Sequence, residues 1–174
     1  MAQLARVVLD REVEVVESEL LLDTDLLLSR LSRGSPLLVP YDCHHNHSPV
    51  LLRGRKAHWA LVTGVLLASR DLRIDKVKDH LSNTDLNDSN ETVFLVKKDI
   101  ESHVQELKSA FTQPGSVHLI ARQSKSRVLG IWDPGDLVRS NNNLLEVDVK
   151  RDQEEYVIPE GGIEAGLCGR MVLL

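Results

Sequence analysis

The sequence predicts an α+β fold, and three observations carry that expectation. Apolar residues near the N-terminus recur at helical spacing. Further on, short aliphatic runs follow one another across polar turns, as antiparallel strands do; a parallel sheet would need a helical crossover between strands. The length of 174 residues suits one domain of roughly 100–200 residues, and no internal repeat divides it, so 1–174 reads as a single domain.

Leu4, Val7, Val8 and Leu9 place a helix over 1–9. A second begins at Thr24, as N-cap, and runs through Leu26, Leu27, Leu28 and Leu31 until Gly34 and Pro36 stop it. Between Pro36 and Tyr41, Leu37-Leu38-Val39 is too short an apolar run for a helix and suits a buried strand. The polar turn 42–49 and the basic hinge Arg53-Gly54-Arg55-Lys56 lead to the run 57–68, a central strand broken at Gly64. A polar, exposed insertion is expected near 71–91, where 82–90 is too hydrophilic to bury. A strand at 92–97, a helix near 99–111 and strands at 117–121 and 128–132 follow. Asp133-Pro134-Gly135-Asp136 reads as a tight turn, after which Leu137, Val138, Leu144, Leu145 and Val147 lead to strands around 156–158 and 171–173.

Composition narrows the function classes. A formal charge of -5, without a long Lys/Arg run, lacks the electrostatic footprint of a nucleic-acid binder. The two cysteines, Cys43 and Cys168, lie far apart and outside any CxxC pair, which argues against a disulfide framework or a cysteine-rich zinc site and fits a reducing compartment. No secretory signal and no run of about 18 apolar residues is present, so a cytoplasmic protein without membrane attachment is expected.

His58 is the first residue to suggest chemistry. An imidazole within an apolar strand requires a partner, because burying an unpaired polar group costs of order 1–3 kcal/mol. Asp133, directly after the 128–132 strand, is placed to hold the ring as the third member of a catalytic triad does. The bland alternative is a satisfied core histidine and an ordinary Asp-Pro turn. Cys43-His44-His45-Asn46-His47 holds zinc-type ligands, but consecutive residues of one turn rarely converge on one ion, so neither a metal nor another cofactor is expected.

Four segments together resemble the actin maturation proteases, relatives of papain-like peptidases that process bacteriocin leaders. They are Pro36-Leu37-Leu38-Val39-Pro40-Tyr41-Asp42 with Asn46-His47, and Lys56-Ala57-His58-Trp59-Ala60 with Gly64-Val65-Leu66-Leu67. Ile131-Trp132-Asp133 follows, and the last is Tyr156-Val157-Ile158-Pro159-Glu160-Gly161-Gly162 with Ala165-Gly166-Leu167-Cys168-Gly169. The resemblance implies an incomplete papain-like fold and a cysteine aminopeptidase that removes an N-acetylated Met or Cys from immature actin, free or profilin-bound. His58 matches the family's base and Asp133 its acidic third residue.

The nucleophile is the departure. In papain-like peptidases it opens a long helix well before the histidine strand, whereas Cys43 lies in a polar turn and Cys168 follows His58, reading as a buried small residue. Two expectations result: the C-terminal portion or a truncated form of a peptidase, inactive alone, or a non-catalytic module that keeps the cleft and binds actin or another partner. The acidic actin N-terminus makes Arg53, Arg55 and Lys56 candidates for steering it.

Overall fold

A computed structural model of the chain describes residues 2–10, 12–68, 81–84, 93–96, 105, 116–148, 158 and 160–174. In chain order the elements are α1 (Ala2–Leu9), β1 (Glu14–Glu17), a 3-10 turn (Ser18–Leu22), α2 (Thr24–Ser32), β2 (Leu37–Asp42), β3 (Ala57–Ala68), β4 (Leu81–Thr84) and β5 (Val93–Val96). There follow β6 (Ser116–Gln123), β7 (Gly130–Trp132), α3 (Pro134–Asn142), α4 (Gly162–Leu167) and β8 (Arg170–Leu173). Six strands form one sheet in the order β1-β8-β2-β3-β6-β7, every neighbouring pair antiparallel, and β4 pairs with β5 in a separate hairpin. This is the expected α+β arrangement with a mainly antiparallel sheet.

The sheet buries one set of alternating side chains, as the two-residue period of a strand requires. Leu37, Val39 and Tyr41 of β2, Ala60 and Val62 of β3, and Leu119 and Ala121 of β6 face a common core. Leu21 of the 3-10 turn, Leu27 of α2, and Leu137 and Val138 of α3 cover it.

Local chemistry explains where the elements differ from expectation. The cap of α2 is Asp23, whose Oδ1 accepts the N–H groups of Asp25 at 2.9 Å and Leu26 at 3.0 Å, so Thr24 is already helical. Gly64 does not break β3; the strand continues to Ala68 with its register shifted between Val62 and Gly64, as one extra residue in a bulge does. Asp-Pro-Gly-Asp is a helix start, with Asp133 as N-cap and Pro134 in the first turn. Helices therefore also come late in the chain. Within the expected polar insertion, β4 satisfies its backbone by pairing with β5, which lies within the expected 92–97 strand. The expected 99–111 helix, apart from Gln105, and most of the 156–158 strand fall outside the described residues.

One buried carboxylate ties one end of the sheet together. Asp42, fully buried, accepts the N–H groups of Lys56 through Oδ1 at 2.9 Å, and of Leu52 and Gly54 through Oδ2 at 2.9 and 2.7 Å. Gly54 is required at its corner: its φ is +99°, and a Cβ would meet the Glu146 carbonyl oxygen and Ile163 Cδ1. α3 closes the same corner. Ser140 Oγ accepts the Asp42 N–H at 3.0 Å and donates to the Val50 carbonyl at 2.8 Å, while Asn141 Nδ2 donates to the Pro40 carbonyl at 2.8 Å.

Hydrogen bonds to a charged group contribute about 1.5–3 kcal/mol each, and a buried donor left alone carries its full desolvation cost. Asp42→Ala is therefore expected to lower unfolding stability by at least about 3 kcal/mol, with Asp42→Asn intermediate; urea denaturation midpoints measure both.

Candidate functional site

Strand register assembles the surroundings of His58. On β2 and β3, His58 pairs with Tyr41, and Ala60 pairs with Val39 on one side and Gln123 of β6 on the other. Residues directly opposite share a face, so half-buried His58 lies on the core-facing side with Tyr41 and, diagonally, Gln123. Gln123 is only 2% exposed and ends β6. The alternation of Leu119, Ala121 and Gln123 in the sequence marks its side chain as inward-pointing.

Cys43 continues the same face two residues beyond Tyr41. Its Sγ is 3.6 Å from His47 Nδ1 and donates to the His44 carbonyl at 3.2 Å. Tyr41 Oη donates to the His47 carbonyl at 2.8 Å, and its ring meets that of Trp132 at a centroid distance of 5.3 Å. Burial first, then hydrogen bonding with the Cys43 thiol, pushes the Tyr41 phenol far above its ordinary range, so it stays a neutral donor. These contacts fasten the 43–50 turn to the end of the sheet.

Asp133 takes a different position. It is exposed, it follows β7, and β6 intervenes between β7 and the His58 strand. Its Oδ1 accepts the Asp136 N–H at 3.0 Å as the cap of α3; among the described residues no hydrogen bond joins it to His58. A carboxylate one residue before a helix finds backbone donors within its own turn.

An open cleft of 380 Å³ lies at this end of the molecule, with His47, Gln123, Lys125, Arg127, Leu129 and Trp132 in its wall. His58 is not part of that wall, although β6 and the 43–50 turn link the two. A larger groove of 550 Å³ lies at the β1–β8 edge, where Arg6 and Arg30 face Glu12 and Glu14 in ion pairs, remote from His58.

The basic hinge is partly neutralised. Glu146 Oε1 accepts from Arg55 at 2.9 and 3.0 Å and from Arg53 at 3.3 Å, and the Arg55 hydrogen bonds hold its carboxyl below the usual carboxylate range, with the charges of both arginines reinforcing them. Cys43 is 5% exposed and Cys168, half-buried rather than buried, donates to the Asn142 carbonyl at 3.2 Å. Burial, with Glu164 and Glu19 nearby, pushes the Cys168 thiol up.

Residues 1–66 match the model described as "Actin maturation protease-like, C-terminal domain". The chain is 33% identical over 177 residues to "Actin maturation protease" of Mus musculus, covering 100% of this chain and 47% of the relative. To the Homo sapiens protein of the same name it is 36% identical over 152 residues (86% and 41%), and to that of Xenopus tropicalis 34% over 184 residues (95% and 52%). The fold class is α+β, and over most of its own length the chain is similar to the actin maturation proteases. It spans about half the length of the curated relatives it matches. No solved structure matches it.

The raised Cys168 pKa yields a signed expectation. Alkylation requires thiolate, so at neutral pH Cys168 should react with iodoacetamide more slowly than a simple thiol, its rate rising only at higher pH. Replacing Glu164 with Gln should move that profile toward lower pH, as mass spectrometry across a pH series would record.

Proposed function

We propose that this chain supplies the histidine side and the substrate cleft of an actin-processing cysteine aminopeptidase with a papain-like arrangement, acting in the cytoplasm. The reaction is removal of an N-acetylated Met or Cys from the N-terminus of immature actin. The observation that carries the reading is His58 on a strand face shared with Tyr41 and with Gln123, which lines an open cleft, in a chain similar to this family.

The mechanism assigns each step to an atom. A thiolate attacks the carbonyl carbon of the acetylated residue, and the His58 imidazolium protonates the departing amine of the next residue. Water, deprotonated by neutral His58, then hydrolyses the thioester. The proposal takes the thiol from a polypeptide segment other than those bearing Cys43, whose Sγ donates to the His44 carbonyl and lies 3.6 Å from His47 Nδ1, and Cys168, whose Sγ donates to the Asn142 carbonyl.

Orientation of the His58 ring has two claimants. Asp133 has the charge expected of a third residue, whereas Gln123 occupies His58's own face on the adjacent strand. The proposal favours Gln123 and gives Asp133 the work of capping α3, where its bond to Asp136 is made. The engaged cysteines also support a second reading of the isolated chain, as a module that binds actin without cleaving it.

Two measurements decide. The chain alone should release no acetyl-Met from an acetylated actin N-terminal peptide; release abolished by Cys43→Ala would identify a nucleophile and overturn the assignment of the thiol. In a chimera where this chain replaces the matching segment of the mouse relative, His58→Ala should lower kcat/KM at least about 100-fold. Asp133→Asn, which keeps a capping oxygen, should leave it within a few-fold, and Gln123→Ala should reduce kcat more than it raises KM. Full activity of the His58→Ala chimera would sink the reading, and a large loss in Asp133→Asn alone would return the orienting role to Asp133.

A further inference from the structure

The cleft beside β6 has a charge of the opposite sign to the chain that carries it. The whole sequence bears a formal charge of -5, yet among the described residues the wall contains Lys125, Arg127 and His47 and no carboxylate. Lys125 and Arg127 are exposed, and among the described residues neither forms an ion pair. Arg53 and Arg55, the basic pair that the sequence offers for steering, share Glu146 instead.

The loop that presents these cations is held before anything binds. Gln123 Oε1 accepts the Lys125 N–H at 2.7 Å, and the Ser126 N–H donates to the Gln123 carbonyl at 2.9 Å. Ser126 Oγ accepts the Val128 N–H at 3.1 Å and is 3.0 Å from the Val128 carbonyl as donor. A turn fixed at both ends loses less freedom on binding, so its charges favour a ligand more than those of a loose loop. Beside them Val128 and Leu129 are 73% and 50% exposed, an apolar shelf next to the cationic rim. The cleft's 380 Å³ falls within the roughly 300–1,000 Å³ of ligand sites.

We propose that this cleft is the docking site of an acidic peptide segment, with Lys125 and Arg127 receiving its carboxylates and Val128 and Leu129 receiving an apolar side chain. The proposal deepens the peptidase reading and rests on it for the peptide's identity, with the acidic residues lying just after the residue to be removed. It relocates electrostatic recognition from the 53–56 hinge to the 123–130 turn. A polyanion such as nucleic acid fits less well, because Trp132 is only 7% exposed and offers no stacking face, and the net negative charge repels a long phosphate backbone.

The test uses the chain itself and measures binding without turnover. Fluorescence anisotropy would compare a labelled, acetylated peptide carrying three aspartates after its first residue with its asparagine counterpart. The acidic peptide should bind about tenfold more tightly at low salt, with the preference shrinking as ionic strength rises. Lys125→Gln with Arg127→Gln should abolish the preference, and Arg53→Gln with Arg55→Gln should preserve it, circular dichroism verifying that each variant is folded. Inorganic phosphate should compete no better than chloride at equal ionic strength. Equal binding of the two peptides, a preference that survives the Lys125/Arg127 change, or specific displacement by phosphate would each overturn the proposal. Loss of the acidic preference would leave the His58 chimera result standing, and an inactive chimera would leave the binding result standing, so the two failures are separable.

Discussion

The Asp42 carboxylate is the constraint on which the rest of this end of the molecule depends. It sits at the last position of β2, fully buried, and its two oxygens accept three backbone N–H groups from the 52–56 loop. That loop delivers the chain into β3 only one residue before His58. Without a buried acceptor, three donors would face the interior unpaired, and the loop would have to open toward water to satisfy them. The position of the histidine is thus set by a carboxylate that takes no part in the chemistry proposed for it.

The same corner shows how alternation divides structural from functional work. Along 41–43, Tyr41 and Cys43 project toward the core face while Asp42 projects into the loop, so one strand end anchors the entry to β3 and lines the surroundings of His58. α3 reinforces both roles through Ser140 and Asn141, whose side chains bond to the backbone at Asp42, Val50 and Pro40. The helix therefore acts as a clamp on β2, and its cap, Asp133, starts that clamp.

This division also accounts for what was legible in the residues. The apolar runs at 37–41, 57–68 and 117–121 announced their strands, because a buried strand face needs aliphatic side chains at every second position whatever its partners are. Asp133-Pro134-Gly135-Asp136 misled because a turn and a helix start use the same residues; Leu137 and Val138 followed by Leu144 gave too short a periodic run to choose between them. His58 stood out as a polar residue in an apolar run, but its neighbours did not, since strand pairing across a long intervening stretch cannot be read from spacing. Gln123, 65 residues further on by number, adjoins it only through the register of β3 with β6. Asp133 stands directly after a strand in the sequence, and its own helix claims one of its oxygens.

Charge carries the last step. Arg53 and Arg55 form the most conspicuous basic cluster in the sequence, and Glu146, 93 positions beyond Arg53, turns them into part of the scaffold by bonding both. Leu145 and Glu146 also donate their backbone N–H groups to the Arg53 carbonyl at 3.1 and 2.8 Å, so the 144–146 segment is tied to the hinge by main chain as well as by charge. Lys125 and Arg127 are separated by one residue, draw no attention in the sequence, and remain without an ion pair among the described residues. A charge that already has a partner has little more to offer an incoming anion, whereas an exposed cation on a fixed turn interacts with whatever carboxylate arrives. Under the proposal, recognition follows the cleft cations that carry no ion pair among the described residues, and the basic hinge serves the fold.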